Sequence, residues 1–305
     1  MRKIIYSMLL LSLLSCTSLT LNTLDVLSND IILDKDRFLR NITKAYELID
    51  TVDASYGYTL QPYKYKNVVF YNYKKNNSKN ALIMFHGGAF VIHNVQSIYY
   101  SMHEDILENT KKDYEILLVD LKGEKYPSQS VELETVLQYA LNKYEKVVVM
   151  GDSSGGNVVL STLLKRRDEG KKLPDAVVLI SPWTDLTNKV ASRKTKFYSD
   201  VIFGKKYPKL MLDNPYIKEV DDKYHPYVSP IYGDYKNFPK TLIQCGGREL
   251  LLDDSVVVYN KMKKAGVDAK LEIYEEMIHD FQLFTIFDET FTARKNISKF
   301  LEGIY

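Results

Sequence analysis

One short run in the sequence carries the residue types of a nucleophilic catalyst: Gly151-Asp152-Ser153-Ser154-Gly155-Gly156-Asn157. It follows directly on the apolar run Lys146-Val147-Val148-Val149-Met150 and opens a helical stretch. A Gly-x-Ser-x-Gly pattern between a strand and a helix is the mark of a sharp turn that lifts a serine hydroxyl above the sheet. Gly151 and Gly155 leave room where that turn is tight, and the following helix aims its N-terminus, with its free N–H groups, at the same point. A glycine-rich phosphate turn is the other reading, but no Lys follows as it would in a P-loop. Ser153 rather than Ser154 has glycine at both the minus-two and plus-two positions, so Ser153 is the expected nucleophile and Ser154 the donor of a backbone N–H to the oxyanion. A second run, His86-Gly87-Gly88-Ala89-Phe90, follows the apolar Ala81-Leu82-Ile83-Met84-Phe85. Attack on a carbonyl creates an oxyanion, and each preorganised donor to it is worth about 3 kcal/mol. Small residues let the backbone approach the reacting carbon. His86 reads as the residue that fastens this loop, not as a proton-transfer group.

These motifs need a rigid frame, and the rest of the sequence supplies the pattern of one. Apolar runs at Ala81–Phe85, Glu115–Asp120, Lys146–Gly151, Ala176–Ile180, Lys240–Cys245 and Ala269–Tyr274 suit strands buried on both faces. Helical stretches lie between them, at Ser97–Thr110, Val131–Tyr144, Gly155–Lys165, Asp253–Ala265 and Glu289–Leu301. Strand and helix alternating in this way predict a mostly parallel, doubly wound sheet. Tyr58 to Tyr73 alternate as in an antiparallel pair. Residues 186–238, rich in Tyr, Pro and Lys, break the rhythm and read as an insertion, helical in part. With an amphipathic helix at Asp36–Val52, it is expected to form a cap over the site.

The two motifs resemble those of the hormone-sensitive-lipase-like branch of the α/β-hydrolases, a group of esterases and lipases marked by His-Gly-Gly-Gly and Gly-Asp-Ser-Ala-Gly-Gly-Asn. Here Ala89 stands for the last glycine of the first motif and Ser154 for the alanine of the second; both keep their N–H. The resemblance covers the chain from about residue 60 onward. It implies an α/β-hydrolase fold, with oxyanion donors at Gly88, Ala89 and Ser154. Chain order in this fold is serine, acid, histidine. Of the 5 histidines, only His225 and His279 follow Ser153. His225 lies in the irregular insertion, whereas His279 follows a strand and opens a loop, at the place of the family's base, which is usually followed by Gly-Phe and here by Asp280-Phe281. Where the family has Asp-Pro-Leu-x-Asp-Glu, this chain reads Glu249-Leu250-Leu251-Leu252-Asp253-Asp254. The resemblance therefore implies Glu249 as the acid, with Asp253 as the alternative. Phe90, Trp183 and Phe281 adjoin these motifs and are candidate pocket residues, each equally a candidate for ordinary core.

The remaining features limit the function. Charges nearly cancel, 41 Lys and Arg against 39 Asp and Glu, which gives no field to gather nucleic acid. No His/Cys/Asp/Glu cluster with metal spacing stands out, and no cofactor is implied. Arg2-Lys3, the apolar run Ile4 to Leu14 and Ser15-Cys16 have the parts of an export signal. The apolar run would rise about 16 Å as a helix, short of a bilayer core. Its end resembles a bacterial lipoprotein signal, which implies lipidation at Cys16 and membrane attachment; simple secretion and a retained anchor are the alternatives. The expected organisation is a signal at residues 1–16, a tether and cap helix at 17–56, and a catalytic domain at 57–305 with its cap insertion at about 186–238. The second of the 2 cysteines, Cys245, reads as a small buried hydrophobe. The function read from all this is hydrolysis of small or short-chain carboxylic esters through an acyl-enzyme. An amidase or peptidase with the same triad, a true lipase, and a binding protein on the same fold are the rival readings. The sequence says nothing of oligomeric state.

Overall fold

A computed structural model of the chain describes residues 58–93, 99–204 and 211–304. The segments read above as export signal, tether and N-terminal cap helix lie outside these residues. The described chain runs β1 (Thr59–Tyr65), β2 (Val68–Lys74), β3 (Asn80–Phe85), α1 (Tyr100–Asn109), β4 (Glu115–Val119), α2 (Ser128–Lys143), β5 (Lys146–Asp152), α3 (Ser153–Asp168), β6 (Ala176–Ile180), β7 (Lys240–Gly246), α4 (Leu252–Lys264), β8 (Ala269–Tyr274) and α5 (Asp288–Glu302). The strands form one 8-stranded sheet in the order β1-β2-β4-β3-β5-β6-β7-β8. β1 pairs with β2, and β2 with β4, antiparallel; every other neighbour is parallel.

The pleat explains why the central strands are apolar throughout. On β3, Ala81, Ile83 and Phe85 join one core, and Leu82 and Met84 join the other. On β5 the split is Val147 and Val149 against Val148 and Met150. Successive side chains point to opposite faces, so both faces must be covered. Leu133, Val136 and Leu137 of α2, Val159 and Leu163 of α3, and Val258 and Met262 of α4 close the first core. Met102 and Ile106 of α1 with Ile297 and Leu301 of α5 close the second. Each fully buried aliphatic side chain contributes roughly 1.5–3 kcal/mol.

The α/β-hydrolase arrangement expected from the sequence is the one observed. Element ends moved by a few residues: α2 begins at Ser128 and α3 already at Ser153. The insertion, residues 186–238, is helical in part: its described residues include the short helix Ser192–Thr195, helical residues at 211–212 and the 3-10 turns Pro215–Ile217 and Pro230–Tyr232. Pro215, Pro226 and Pro230 each lack the N–H that a longer helix would need. Buried polar groups hold this segment instead. Asp254 accepts the Thr184 N–H at 2.6 Å and pairs with Arg193 at 2.7 Å, and Asn157 of the serine motif donates to the carbonyls of Trp183 and Val228 at 2.9 and 3.1 Å.

His103 on α1 is fully buried beside Tyr73 and Tyr99, and neither ring nitrogen meets a hydrogen-bond partner among the described residues. Burial, with a smaller push from Arg294, lowers its pKa to about 3. The neutral ring is kept in the folded protein while the unfolded chain binds a proton below about 6.5. Stability from this group is therefore intact above pH 6.5 and falls as the solution is acidified towards pH 3. His103→Leu is expected to reduce the loss of unfolding free energy between pH 6.5 and pH 4 by roughly 3 kcal/mol. Urea titrations at the two pH values measure it, and an unchanged difference between them refutes it.

Candidate active site

Ser153 sits where β5 ends and α3 begins, with φ of 50°. That left-handed backbone is strained for a residue with a Cβ and persists because its surroundings leave no alternative. Gly155 is one reason: a Cβ there would run into the carbonyl oxygen of Phe85 at the end of β3. Asp152 is a second. Its Oδ1 accepts the N–H of Gly87 at 2.9 Å and its Oδ2 accepts the Tyr99 hydroxyl at 2.8 Å. The serine turn and the glycine-rich loop are thus fastened to each other. A Cβ on Gly87 would lie 2.5 Å from Asp152 Oδ2 and 2.9 Å from the Ser153 Cβ, so only glycine fits this close to Ser153.

The loop after β3 turns through three residues of positive φ: Gly88 at 120°, Ala89 at 52° and Phe90 at 64°. Asn214 donates to the Ala89 carbonyl at 3.0 Å, Gln129 donates to that of Phe90 at 3.1 Å, and the Phe90 N–H donates to Ser154 Oγ at 3.1 Å. With its carbonyls tied outward, the loop brings the backbone of Gly88 and Ala89 up to the N-terminal turn of α3, where Ser154 lies. His86 is buried, with Nδ1 2.7 Å from the Gly87 carbonyl, and burial pushes its pKa down to about 4. It is a neutral fastener of the loop.

His279 comes from the loop after β8. Gly247 donates to the Tyr274 carbonyl at 2.8 Å and Arg248 to that of Met277 at 3.1 Å, so the loops after β7 and β8 are stitched together. Phe281 packs with Met277, Ile278, Phe287 and Ala293 in a small separate core that seats the histidine; it is fully buried there and fills core instead of lining a pocket. Arg294 of α5 steadies the same loop, donating from Nε to the Gln282 carbonyl at 2.8 Å. His279 Nε2 lies 3.0 Å from Ser153 Oγ, and Nδ1 lies 3.2 Å from Glu249 Oε2. Glu249 is fully buried in the loop between β7 and α4, and the next residue, Leu250, donates its N–H to Asp200 of the insertion at 2.6 Å.

The other candidates fall elsewhere. Asp253 Oδ2 accepts the Ser192 N–H at 2.7 Å and so pins the insertion. His225 is exposed and accepts the Tyr227 N–H at 3.1 Å. Cys245 is buried in β7, and burial pushes its thiol well up, which leaves it inert. Phe90 and Trp183 are buried 5.7 Å apart, centroid to centroid, and belong to a chain of rings. Trp183 meets Phe203 at 6.0 Å, Phe203 meets the His279 ring edge-on at 4.8 Å, and Phe90 stacks on Tyr216 at 4.7 Å. Phe203, Tyr216, Asn214 and Asp200 carried no signal in the sequence, because the insertion has no periodicity to read. Asp152 was in plain view inside the serine motif.

Burial dominates the charges. It raises Glu249 to about 7 against the pull of His279, and it raises Asp152, with help from Asp280. Burial alone would lower His279, but the carboxylates of Asp280 and Glu249 outweigh it and hold the imidazole well above its usual range. Among the described residues no group of His, Cys, Asp and Glu is arranged to hold a metal ion.

A turn-mounted serine, an imidazole and a buried carboxylate in line, on this sheet order, define a hydrolase of the α/β type. Accordingly the chain belongs to the alpha/beta hydrolase fold family, whose model matches residues 82–283. It is similar to an esterase of Acinetobacter venetianus, 27% identical over 226 residues that span 72% of this chain and 73% of that protein. The crystal structure of an esterase/lipase from an uncultured bacterium superposes with a TM-score of 0.80 at 26% identity, over 93% of this chain and 98% of the other. An esterase of the bacterial hormone-sensitive lipase family shares the fold, with a TM-score of 0.81 at 24% identity over 93% of this chain and 97% of the other.

Proposed function

We propose that this protein is a serine carboxylesterase acting on small or short-chain acyl esters. The observation that carries the reading is the line from Ser153 Oγ to His279 Nε2 at 3.0 Å and from Nδ1 to Glu249 Oε2 at 3.2 Å. With Nδ1–H donated to Glu249, Nε2 takes the Ser153 proton as Oγ attacks the ester carbonyl. The N–H groups of Gly88, Ala89 and Ser154 receive the oxyanion. The imidazolium returns its proton to the leaving alcohol, and an acyl-serine remains. Water, deprotonated by the same nitrogen, then releases the acid and restores Ser153. Glu249 holds the ring in this orientation and stabilises its charged form. The esterases among the relatives support ester hydrolysis as the reaction.

The preference for short acyl groups rests on the buried rings Phe90, Trp183, Phe203 and Tyr216, which crowd the ground beside the triad. In a p-nitrophenyl series, kcat/KM is expected to be about ten-fold or more higher for acetate or butyrate than for decanoate. A rate that climbs with chain length, or a faster anilide than ester, overturns this part of the reading.

The same proposal covers the site of action. The basic start, the short apolar run and Ser15-Cys16 support export and attachment to a bacterial membrane through a lipid on Cys16. Cys16→Ser should move the protein from the membrane to the soluble fraction; an unchanged distribution argues against the lipid.

A further inference from the structure

The residue after the base is an aspartate, and it touches the base. Asp280 Oδ2 stands 3.0 Å from His279 Nε2, the same nitrogen that Ser153 Oγ meets at 3.0 Å. The left-handed backbone of Asp280, φ 52° and ψ 33°, turns its carboxylate back onto the preceding ring. Its N–H is spent on Ser181 Oγ at 3.2 Å, and its other oxygen, Oδ1, is buried with no hydrogen-bond partner among the described residues. A carboxyl kept for local structure would have both oxygens satisfied. This one has a single close contact of opposite sign, the imidazole.

We propose that Asp280 is a second carboxylate partner of His279, a positioning residue that holds a proton on Nε2 in competition with Ser153 and so moves ester hydrolysis to alkaline solution. The inference rests on the catalytic reading above. Its chemistry is one of proton placement. When the imidazole carries both protons, Nδ1–H points to Glu249 and Nε2–H to Asp280, and the ring cannot accept from Ser153. When Nε2 is bare, it accepts from Ser153 Oγ, but its lone pair then faces the lone pairs of Asp280 Oδ2. The contact favours the first state, so a free base is available only at higher pH. The same contact stabilises the imidazolium that forms as Oγ attacks, which makes the ring a stronger base once it is deprotonated. The groups facing the ring from each side are Asp152 at the end of β5, Ser153 at the start of α3, Glu249 after β7, Asp280 beside it, and the uncharged Phe203 of the insertion. Asp152 and Glu249 also turn carboxyl groups towards it, but among the described residues Asp280 alone meets the nitrogen that Ser153 meets.

The test is a set of pH profiles of kcat/KM on p-nitrophenyl butyrate from pH 5.5 to 10, for full-length wild type, Asp280→Asn and Asp280→Gly, with Ser153→Ala as the control. Asparagine keeps the shape and removes the charge; glycine accepts the left-handed backbone without strain. The acid limb of both variants is expected about one pH unit or more below that of wild type, so that the ratio of variant to wild-type rate rises about ten-fold between pH 9 and pH 6. A ratio that stays flat across the range marks a merely structural role and overturns the proposal. Should neither variant fold, the residual activity of Glu249→Gln decides, because it removes the other carboxylate on the ring: an acid limb at or below about 6.5, the ordinary histidine value, overturns the proposal, and one that stays well above it upholds it. Full activity in the Ser153→Ala control would sink the catalytic reading instead, and so the two failures are told apart.

Discussion

Replacing Ser153 by alanine is expected to lower kcat/KM on a short p-nitrophenyl ester by about 10⁵-fold, the scale at which removal of a serine nucleophile leaves only binding and oxyanion stabilisation. The expectation follows from placement. Ser153 is held by a strained turn whose neighbours are fixed: Gly155 lies against the Phe85 carbonyl, and Asp152 ties the turn to Gly87 and Tyr99. Among the described residues no other hydroxyl is hydrogen-bonded to His279 Nε2. The adjacent Ser154 Oγ already accepts the Phe90 N–H at 3.1 Å. The fold should barely notice the change, because the lost bond from Oγ to Nε2 is worth about 1 kcal/mol, or about 2–4 °C in Tm for a domain of this size. Residual activity above about one per cent of wild type with an intact Tm would contradict the assignment. A fluorophosphonate probe gives an independent check: it should label the wild-type peptide bearing Ser153 and leave the variant unlabelled.

Glu249→Gln is expected to cost about 10³- to 10⁴-fold in kcat near neutral pH, comparable to the loss seen when a triad carboxylate becomes an amide. Glutamine fills the same volume in a fully buried site, so packing survives. What changes is the partner of Nδ1: an amide can present its NH₂ and favour the wrong tautomer, and it no longer stabilises the imidazolium. The pH dependence has a definite sign. Burial raises Glu249 to about 7, so acidification through that range protonates the carboxyl and removes its hold on the ring. Because Glu249 and His279 interact strongly, the titration belongs to the pair. Wild-type activity should therefore rise with pH through the neutral region and above. Asp253→Asn provides the contrast. Its carboxylate accepts the Ser192 N–H at 2.7 Å, so the variant should lose about 1 kcal/mol of stability and keep its chemistry. If Asp253→Asn were the crippled variant and Glu249→Gln the active one, the acid would have to be reassigned.

Both variants test residues that were visible in the sequence for different reasons. Ser153 was legible because its constraint is local: a tight turn between an apolar strand and a helix admits glycine at fixed offsets, and that leaves a pattern in seven consecutive letters. The strands were legible because burial on both faces forces uninterrupted apolar runs, and on β3 and β5 those runs are divided between two cores by the pleat. Glu249 needed a resemblance to single it out, since nothing in its neighbourhood separates it from Asp253 or Asp254 until the loop is folded. The insertion was the least legible part. Its residues Asp200, Phe203, Asn214 and Tyr216 reach the site through buried hydrogen bonds and ring contacts that leave no periodic trace.

By itself, then, the sequence determined the order of strands and helices along the chain, the serine turn and the glycine-rich loop that faces it, because each depends on neighbours within a few residues along the chain. The tertiary structure decided which carboxylates meet the imidazole. Residues 153, 249 and 279 approach one another only when β5, β7 and β8 end along the same edge of the sheet, and Asp280 reaches Nε2 only through a left-handed turn at that edge. Distances between residues far apart in the chain are set by packing the whole sheet, and no local run of letters encodes them.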